Sequence, residues 1–327
     1  MTMKRYTLYI ICALVAMLTA LPTATAVEPL AVRKGKVVKA RNGEVQALTG
    51  VSLAWHHFAD KYYNRGVVRT LVKEWHAEVV RAAVSVELGD GILKNPERAY
   101  KALYTIIDAC IEYDCYVVVD WHSHNIRLEE AKEFFKSVAT KYGHHPNIIY
   151  EIFNEPEYQS WREVKAYSKE VIATIRAIDP DNIIIVGCPH WDQDVDIVAD
   201  DPIVGYNNLV YSFHFYAATH QLDNMRRCEY ALERGLPLII SECGGMNHLG
   251  QGEVDFEWWG RWTRWAREHG IGWIAWSLSD KVESCSMLRH GATTKPRRSG
   301  WKSRDLKDWS LLVMASLHQE YQLDQER

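Results

Sequence analysis

Short apolar runs recur along the chain roughly every thirty residues, which is the size of a strand–helix–strand unit. Several of these runs are rich in β-branched residues, which favour strands over helices. They predict eight strands: Ala47–Leu53, Val79–Val86, Tyr116–His122, Ile148–Glu155, Ile183–Pro189, Leu209–Tyr216, Pro237–Gly244 and Ile271–Leu278.

Amphipathic segments separate these strands. From Pro96 to Tyr113, apolar side chains recur every three to four residues, as on a helix that packs against a sheet. The same pattern predicts helices at Glu129–Tyr142, Trp161–Ile178, Met225–Arg234, Val254–His269 and Leu306–Gln322. Strands that alternate with helices form parallel sheets, so eight units predict an α/β protein with a single (β/α)8 TIM barrel. An open doubly wound sheet is the structural alternative, and Val32–Val45 is predicted to be a surface hairpin across the barrel's base.

The first 26 residues have the pattern of a secretory signal peptide. Lys4 and Arg5 precede an apolar run from Tyr6 to Leu21, and small residues at 24–26 fit a cleavage site. We therefore expect a secreted, extracellular protein with a catalytic barrel over residues 27–327 and no membrane association after signal removal. An uncleaved membrane anchor is the alternative interpretation.

Composition narrows the classes of partner. The net charge is -4 and no basic stripe is present, so no nucleic-acid partner is expected. No His-Glu-x-x-His or Cys-x-x-Cys motif appears, and neither a metal nor another cofactor is predicted. The 13 Trp indicate exposed aromatic platforms. Of the six Cys outside the signal, Cys110 and Cys115 are predicted to form a disulfide, with buried free thiols as the alternative. A monomer is expected.

Polar side chains stand where the predicted strands end. Asn154 and Glu155 end the fourth strand, His214 and Tyr216 end the sixth, and Glu242 ends the seventh. Carboxyl ends of parallel barrel strands carry active sites, and strands four and seven face each other across the mouth. Two facing carboxylates suit glycosidic bond cleavage, because one protonates the leaving oxygen while the other attacks or activates water.

At these positions the chain resembles glycoside hydrolase family 5, and within it the bacterial-type endo-β-1,4-glucanases. The resemblance rests on I-Y-E-I-F-N-E-P at 149–156, S-F-H-F-Y at 212–216, I-S-E-C-G at 240–244 and W-S-L-S-D-K at 276–281, with V-V-R-A-A at 79–83 and V-D-W-H at 119–122. It spans nearly the whole chain after the signal. It implies a retaining endo-β-1,4-glucanase that acts on β-glucan polysaccharide, with carboxyl groups about 5–5.5 Å apart.

The resemblance also implies roles for individual residues. Glu155 would be the acid/base and Glu242 the nucleophile, with Arg81 beside the nucleophile and Tyr216 hydrogen-bonded to it. Asn154 would hold the 2-hydroxyl of the sugar. We expect the pKa of Glu155 to be raised by the charge of Glu242 and by a partly dry cleft.

The remaining family positions line the cleft. His122 and His214 would orient hydroxyls and carboxylates, and Trp276 would stack beneath the sugar that is cleaved. Trp191 and Trp55 match further platforms. Lys281 and Glu283 would bind a non-reacting glucose, although an exposed salt bridge is the alternative. His56 and His57 follow the first strand and could also reach the cleft.

Three other functions remain open from the sequence. A β-mannanase, xyloglucanase or mixed-linkage glucanase would use the same two glutamates. A non-catalytic carbohydrate-binding barrel would keep the Trp platforms but lose a glutamate. A phosphate-handling barrel is the third, because Gly244-Gly245 follows strand seven, where such barrels bind phosphate.

Overall fold

The computed structural model describes residues 27–326, so the predicted signal peptide lies outside the described residues. Eight parallel strands close into a barrel, β1 pairing with β8, which confirms the (β/α)8 prediction and excludes the open sheet. The strands are β1 Thr49–Leu53, β2 Val79–Ser85, β3 Tyr116–His122, β4 Ile148–Glu151, β5 Ile184–Val186, β6 Leu209–Tyr216, β7 Leu238–Gly244 and β8 Trp273–Leu278.

A helix of at least six residues follows each strand on the outside of the barrel, and shorter helices lie at His56–Ala59 and Pro189–Asp192. The longer helices are α1 Arg65–Lys73, α2 Pro96–Glu112, α3 Leu128–Tyr142, α4 Trp161–Arg176, α5 Val195–Asp200, α6 Leu222–Glu233, α7 Phe256–Glu268 and α8 Asp308–Gln325. Local sequence explains where several begin: Asn95 caps α2 ahead of Pro96, and Ser160 forms a capping box with Glu163 at α4. Among residues 27–326, no helix is long and apolar enough to cross a bilayer.

A hairpin covers the amino-terminal end of the barrel. Its strands, Leu30–Arg33 and Lys36–Lys39, pair antiparallel, so the predicted hairpin begins and ends earlier than the sequence pattern placed it. Leu30 and Val37 belong to a buried cluster with apolar residues of the barrel strands. Because this end is filled by apolar side chains, the polar chemistry is confined to the opposite end.

The strand that carries Asn154 and Glu155 is shorter than predicted. β4 ends at Glu151, although the chain continues along its neighbours: the backbone N–H of Asn154 donates to Trp121 and that of Glu155 to Ser123. The prediction that the regular strand extends to Glu155 was therefore wrong. The hydrogen bonds nevertheless keep Glu155 at the carboxyl end of the barrel.

The tryptophan surplus mostly fills the core. Trp259, Trp262, Trp273 and Trp309 are at most 2% exposed and pack against one another or against Phe215. These four side chains are core residues rather than exposed platforms: Trp259 and Trp262 form the buried face of α7, and Trp273 on β8 and Trp309 on α8 pack against Trp259.

The predicted disulfide is not formed. All six cysteines among the described residues are buried free thiols. Cys110 and Cys115 are nonetheless neighbours, since their thiols interact and the backbone N–H of Cys115 donates to the Cys110 carbonyl. The contact between them is a hydrogen bond rather than a covalent link.

Glu78, directly before β2, makes stability depend on pH. Burial raises the pKa of Glu78 to about 7, although Thr49 and Gln46 donate to its carboxylate. The folded protein therefore binds this proton more tightly than the unfolded chain, and stability is lost as pH rises toward 7. Glu78→Gln should raise the free energy of unfolding by up to about 3 kcal/mol at pH 8 and by much less at pH 5.

Urea unfolding at both pH values measures this difference. Glu229→Gln changes an exposed residue and serves as the control: it should leave the free energy of unfolding unchanged at both pH values. An equal effect of Glu78→Gln at the two pH values would contradict the prediction.

Candidate active site

A cleft of 720 Å³ opens at the carboxyl ends of the barrel strands. Of the predicted site residues, it is lined by Trp55, His122, Glu155, Trp191, His214, Tyr216, Glu242, Trp276, Lys281 and Glu283. Arg81 and Asn154 are fully buried beneath it. The structure thus brings all twelve predicted residues to one end of the barrel.

Glu155 and Glu242 face each other across this cleft. An oxygen of Glu155 and an oxygen of Glu242 lie within 4.8 Å of each other. Retaining glycosidases hold their carboxyl groups about 5–5.5 Å apart, whereas inverting enzymes need about 6.5–9.5 Å to admit a water. The short separation matches direct attack by one carboxylate.

Arg81 on β2 is the central cation beneath the cleft. Its Nη1 donates to Glu242 at 2.9 Å, its Nε to Glu151 at 2.6 Å, and its Nη2 lies 3.0 Å from Asp120. Burial disfavours the charge, but these three carboxylates raise the pKa of Arg81 well above its ordinary value. The guanidinium can satisfy three partners because its donors form a rigid fork.

Glu242 is held in place by two donors. Besides Arg81, the hydroxyl of Tyr216 donates to Glu242 Oε1 at 2.7 Å. Tyr216 reaches it because β6 and β7 pair so that Tyr216 lies opposite Gly244. A Cβ at Gly244 would lie 2.6 Å from the Tyr216 ring, so glycine is required for this close approach.

Asn154 presents a free donor. Its Oδ1 accepts from Arg81 Nη2 at 2.6 Å, which orients the amide. Among the described residues, its Nδ2 has no hydrogen-bond partner although it is buried. A buried amide N–H without a partner is costly, so it indicates a ligand hydroxyl as the missing acceptor.

One wall of the cleft is aromatic. The ring of His122 stacks on Trp276 with centroids 5.3 Å apart, and Trp55 packs beside His122 at 5.1 Å. His122 Nδ1 is hydrogen-bonded to Asp120 at 2.7 Å, and burial lowers the pKa of His122 well below its ordinary value. His122 is therefore a neutral, fixed side chain in this wall.

His214 on β6 contacts Glu155 directly. Its Nδ1 lies 2.9 Å from Glu155 Oε1, and its Nε2 lies 3.0 Å from Ser241 Oγ. Burial opposes a charge on the imidazole, but Asp192, Glu151 and Glu155 raise the pKa of His214 well above its usual range. The imidazolium is thus stabilised by the carboxylates around it.

This contact overturns the expected protonation of Glu155. Burial alone would raise the pKa of Glu155, but the hydrogen bond from His214 lowers it. Burial and the charge of Glu155 raise the pKa of Glu242 despite opposition from His214 and Arg81. The carboxylates around His214 thus favour its charged form, and the hydrogen bond between His214 and Glu155 favours the ionised form of Glu155.

The outer part of the cleft holds the remaining predicted residues. Trp191 is half-buried and packs edge-on against the exposed Tyr158. Lys281 and Glu283 form an ion pair at 2.7 Å and both line the cleft, and their binding of a sugar stays a prediction. His56 is fully buried and accepts from the backbone of Ser85, and neither it nor His57 lines the cleft.

Four site residues escaped sequence reasoning: Asp120, Glu151, Asp192 and His124. Asp120 and Glu151 are acidic residues inside apolar strands, and because buried carboxylates need partners this position was a usable signal. His124 lies 3.7 Å from Glu155 and follows His122 by two residues. No sequence signal indicated Asp192, because the direction of its side chain depends on an unusual turn after β5.

The cleft gives no support to a phosphate site. A Cβ at Gly245 would meet Trp309 at 2.9 Å and Val254 at 2.8 Å, so the backbone after β7 is packed rather than open to an anion. One ion could be approached by Glu155, His214 and Glu242 together. However, both ring nitrogens of His214 already have hydrogen-bond partners, and Glu242 is bonded to Arg81 and Tyr216.

Fold and site together define a barrel with a two-carboxylate cleft, the arrangement of retaining glycoside hydrolases. The sequence profile of the cellulase family (glycosyl hydrolase family 5) matches residues 38–282. The chain belongs to this family.

Relatives of known name agree with this assignment. The chain is 39% identical over 266 residues to endoglucanase Z of Dickeya dadantii and 35% identical over 283 residues to an endoglucanase of Clostridium saccharobutylicum, which covers 80% and 84% of this chain. It spans 62% of the length of each relative. The catalytic domain of a Thermobifida fusca endoglucanase, solved in complex with cellotetraose, superposes with a TM-score of 0.82 at 28% identity, covering 89% of this chain and 97% of that one.

Proposed function

We propose that the protein is a retaining endo-β-1,4-glucanase that hydrolyses internal bonds of cellulose and related β-glucans. The observation that carries the proposal is the pair Glu155 and Glu242, whose carboxylate oxygens lie within 4.8 Å at the mouth of a family 5 barrel. Relatives over most of the chain are named endoglucanases, which supports the endo mode.

In the first step, Glu242 attacks the anomeric carbon and Glu155 protonates the leaving oxygen. Arg81 and Tyr216 hold Glu242 by one oxygen each, which orients the carboxylate for attack. The proton on His214 Nδ1 passes to Glu155 Oε1 and from there to the glycosidic oxygen. In the second step, Glu155 takes a proton from the water that hydrolyses the glycosyl-enzyme, which releases Glu242, and the proton returns from Glu155 Oε1 to His214 Nδ1.

The same geometry supports a set of proposed substrate contacts. The free Nδ2 of Asn154 donates to the 2-hydroxyl of the reacting sugar, a contact that strengthens in the transition state. Trp276 lies beneath that sugar, because aromatic rings bind the apolar C–H faces of pyranoses. Trp55 and Trp191 extend the platform, and Lys281 and Glu283 bind hydroxyls of a neighbouring glucose.

Secretion is part of this proposal, since a glucan polymer is an extracellular substrate. The basic start, apolar run and small-residue site of residues 1–26 support it. The monomeric state stays a prediction.

A polysaccharide panel tests the proposed function. Carboxymethyl-cellulose and lichenan should be hydrolysed faster than glucomannan or xylan, and viscosity should fall well before reducing ends accumulate. Proton NMR of the first products should show the β-anomer, as retention requires. The Glu242→Gln protein, prepared identically, is the control for contaminating glucanase.

Two outcomes would redirect the proposal. Faster hydrolysis of glucomannan or xyloglucan would identify another β-glycanase of the family. Binding of glucan without hydrolysis would indicate a carbohydrate-binding barrel.

A further inference from the structure

An unusual turn follows β5 and carries Asp192. Three consecutive non-glycine residues, His190, Trp191 and Asp192, have φ values of 60°, 55° and 59°. Such left-handed backbone is disfavoured for residues with a Cβ, and a run of three persists only where surrounding contacts hold it. Strained backbone of this kind occurs at functional sites, so the side chains that it positions are candidates for a role.

Hydrogen bonds from several elements hold this turn. The backbone N–H of Trp191 donates to the Pro156 carbonyl at 2.9 Å, next to Glu155 in the chain. Gln193 Nε2 donates to the carbonyls of Trp191 at 3.1 Å and His214 at 2.6 Å. The turn is therefore tied to the segments that carry both the acid/base and its histidine.

The turn places the Asp192 carboxylate beneath His214. Asp192 is fully buried, and its Oδ1 accepts from the backbone N–H of Cys188. Its Oδ2 has no hydrogen-bond partner among the described residues, and it lies 3.4 Å from His214 Nε2. A buried carboxylate oxygen in this position is stabilised chiefly by the charge of the imidazole.

We propose that Asp192 is a positioning residue that acts through His214: it stabilises the imidazolium whose Nδ1–H donates to Glu155. This inference rests on the proposed function of Glu155 as acid/base. The three side chains then form a row, carboxylate–imidazolium–carboxylate, in which Asp192 and His214 are buried and Glu155 faces the cleft, with the catalytic proton on His214 Nδ1. That proton moves to Glu155 Oε1 as the glycosidic oxygen accepts one, leaving His214 neutral beside Asp192.

Other charged groups also act on His214, so the contribution of Asp192 must be separated from theirs. Glu151 Oε1 lies 3.9 Å from Nε2, which is farther than Asp192, and it is already bonded through its other oxygen to Arg81. The titratable and charged groups around the imidazole are Glu151 and Glu155 from the β4 segment, Asp192 from the turn, Glu242 from β7, Arg81 from β2, Asp120 and His122 from β3, and His220 after β6.

The pKa values of Asp192 and His214 depend on each other. Burial raises the pKa of Asp192 well above its ordinary value, and the charge of His214 opposes that shift. Asp192 in turn is the largest of the favourable influences on the charge of His214. Loss of the Asp192 charge should therefore weaken proton binding by His214.

The direct test measures the imidazole of His214. Protein labelled with ¹⁵N-histidine is titrated from about pH 5 to about pH 9, and the His214 ring signals are assigned with a His214→Asn variant. In the wild type they should stay those of an imidazolium above neutral pH. In Asp192→Asn, His214 should lose its charge at least about one pH unit lower. This readout requires no hydrolysis, so it is independent of the proposed glucanase activity.

The kinetic test follows the same proton. The alkaline limb of the kcat/KM profile on carboxymethyl-cellulose should move to lower pH in Asp192→Asn, with about a tenfold loss above neutral pH and a smaller loss below it. Asp192→Ser removes the charge with a smaller side chain and serves as the second variant if Asp192→Asn does not fold.

Asp179→Asn provides the matched control. Asp179 is 2% exposed and accepts from Tyr150, but it lies outside the cleft. Its loss should lower stability and leave the pH profile in place. An unchanged His214 titration in both Asp192 variants, or a uniform loss of kcat/KM without movement of the alkaline limb, would overturn the inference.

Discussion

Glu242→Gln is expected to lower kcat/KM on carboxymethyl-cellulose by about 10⁴-fold or more, because no covalent intermediate can form without the nucleophile. The amide is nearly isosteric, and an oxygen remains to accept from Arg81 or Tyr216. The fold should therefore survive, which circular dichroism and the thermal midpoint would check. Exposed Glu170→Gln is the control and should retain full activity.

Glu155→Ala separates the two carboxylates by mechanism. A dinitrophenyl cellobioside has a leaving group that needs no proton, so the first step should remain fast while the glycosyl-enzyme accumulates. Azide should then restore turnover and give the β-glycosyl azide, because this anion attacks without a general base. Azide rescue of Glu242→Gln with the β-product, or full activity of either variant on polysaccharide, would contradict the assignment.

Arg81→Met is expected to destabilise the protein by about 3–5 kcal/mol, since it leaves Asp120, Glu151 and Glu242 buried without their shared cation. The loss should depend on pH. Arg81 lowers the pKa of Glu151 against the effect of burial, so this part of the stability is present above the ordinary glutamate pKa and disappears as pH falls. In Arg81→Met burial acts without this opposition and raises the pKa of the buried carboxylates, so the variant binds protons as pH falls from 8 to 5 and its loss of free energy of unfolding should be larger at pH 8 than at pH 5.

Two further variants sharpen this prediction. Arg81→Lys keeps the charge but cannot bond Glu151, Glu242 and Asn154 at once, so it should recover part of the stability and little of kcat. Arg65→Met removes an exposed arginine paired with Glu112 and should leave the unfolding midpoint unchanged. A loss for Arg81→Met that is equal at both pH values would exclude the electrostatic explanation.

Sequence periodicity was sufficient for the architecture. Eight strand-like runs and six amphipathic segments were predicted, and each observed barrel strand falls within its predicted run, whereas Arg65–Lys73 and Val195–Asp200 were not predicted as helices. The predicted helix starts at Pro96 and Trp161 coincide with the observed ones, where Asn95 and Ser160 are the N-cap residues. Boundaries were less secure: β4 ends four residues early, because Ile152–Glu155 is held by hydrogen bonds that depend on neighbouring strands.

Residue type and position along the chain were also enough to single out the two carboxylates, since polar groups at the ends of buried strands need a reason to be there, whereas Trp276 was singled out only by the resemblance to the family. The protonation state of Glu155 could not be predicted from the sequence. The pKa of Glu155 is lowered rather than raised because His214, some sixty residues away in the chain, donates to it in the folded protein.

The sequence by itself determined the barrel, and it singled out Glu155 and Glu242 at the end of the barrel where the cleft opens. Only the tertiary structure decided how their charges are balanced. Arg81 is shared among three carboxylates, and Asp192 lies beneath His214 through a left-handed turn that no sequence pattern indicates. The physical reason is that periodicity reports burial along one element, whereas a pKa depends on charges a few ångströms apart that belong to different strands.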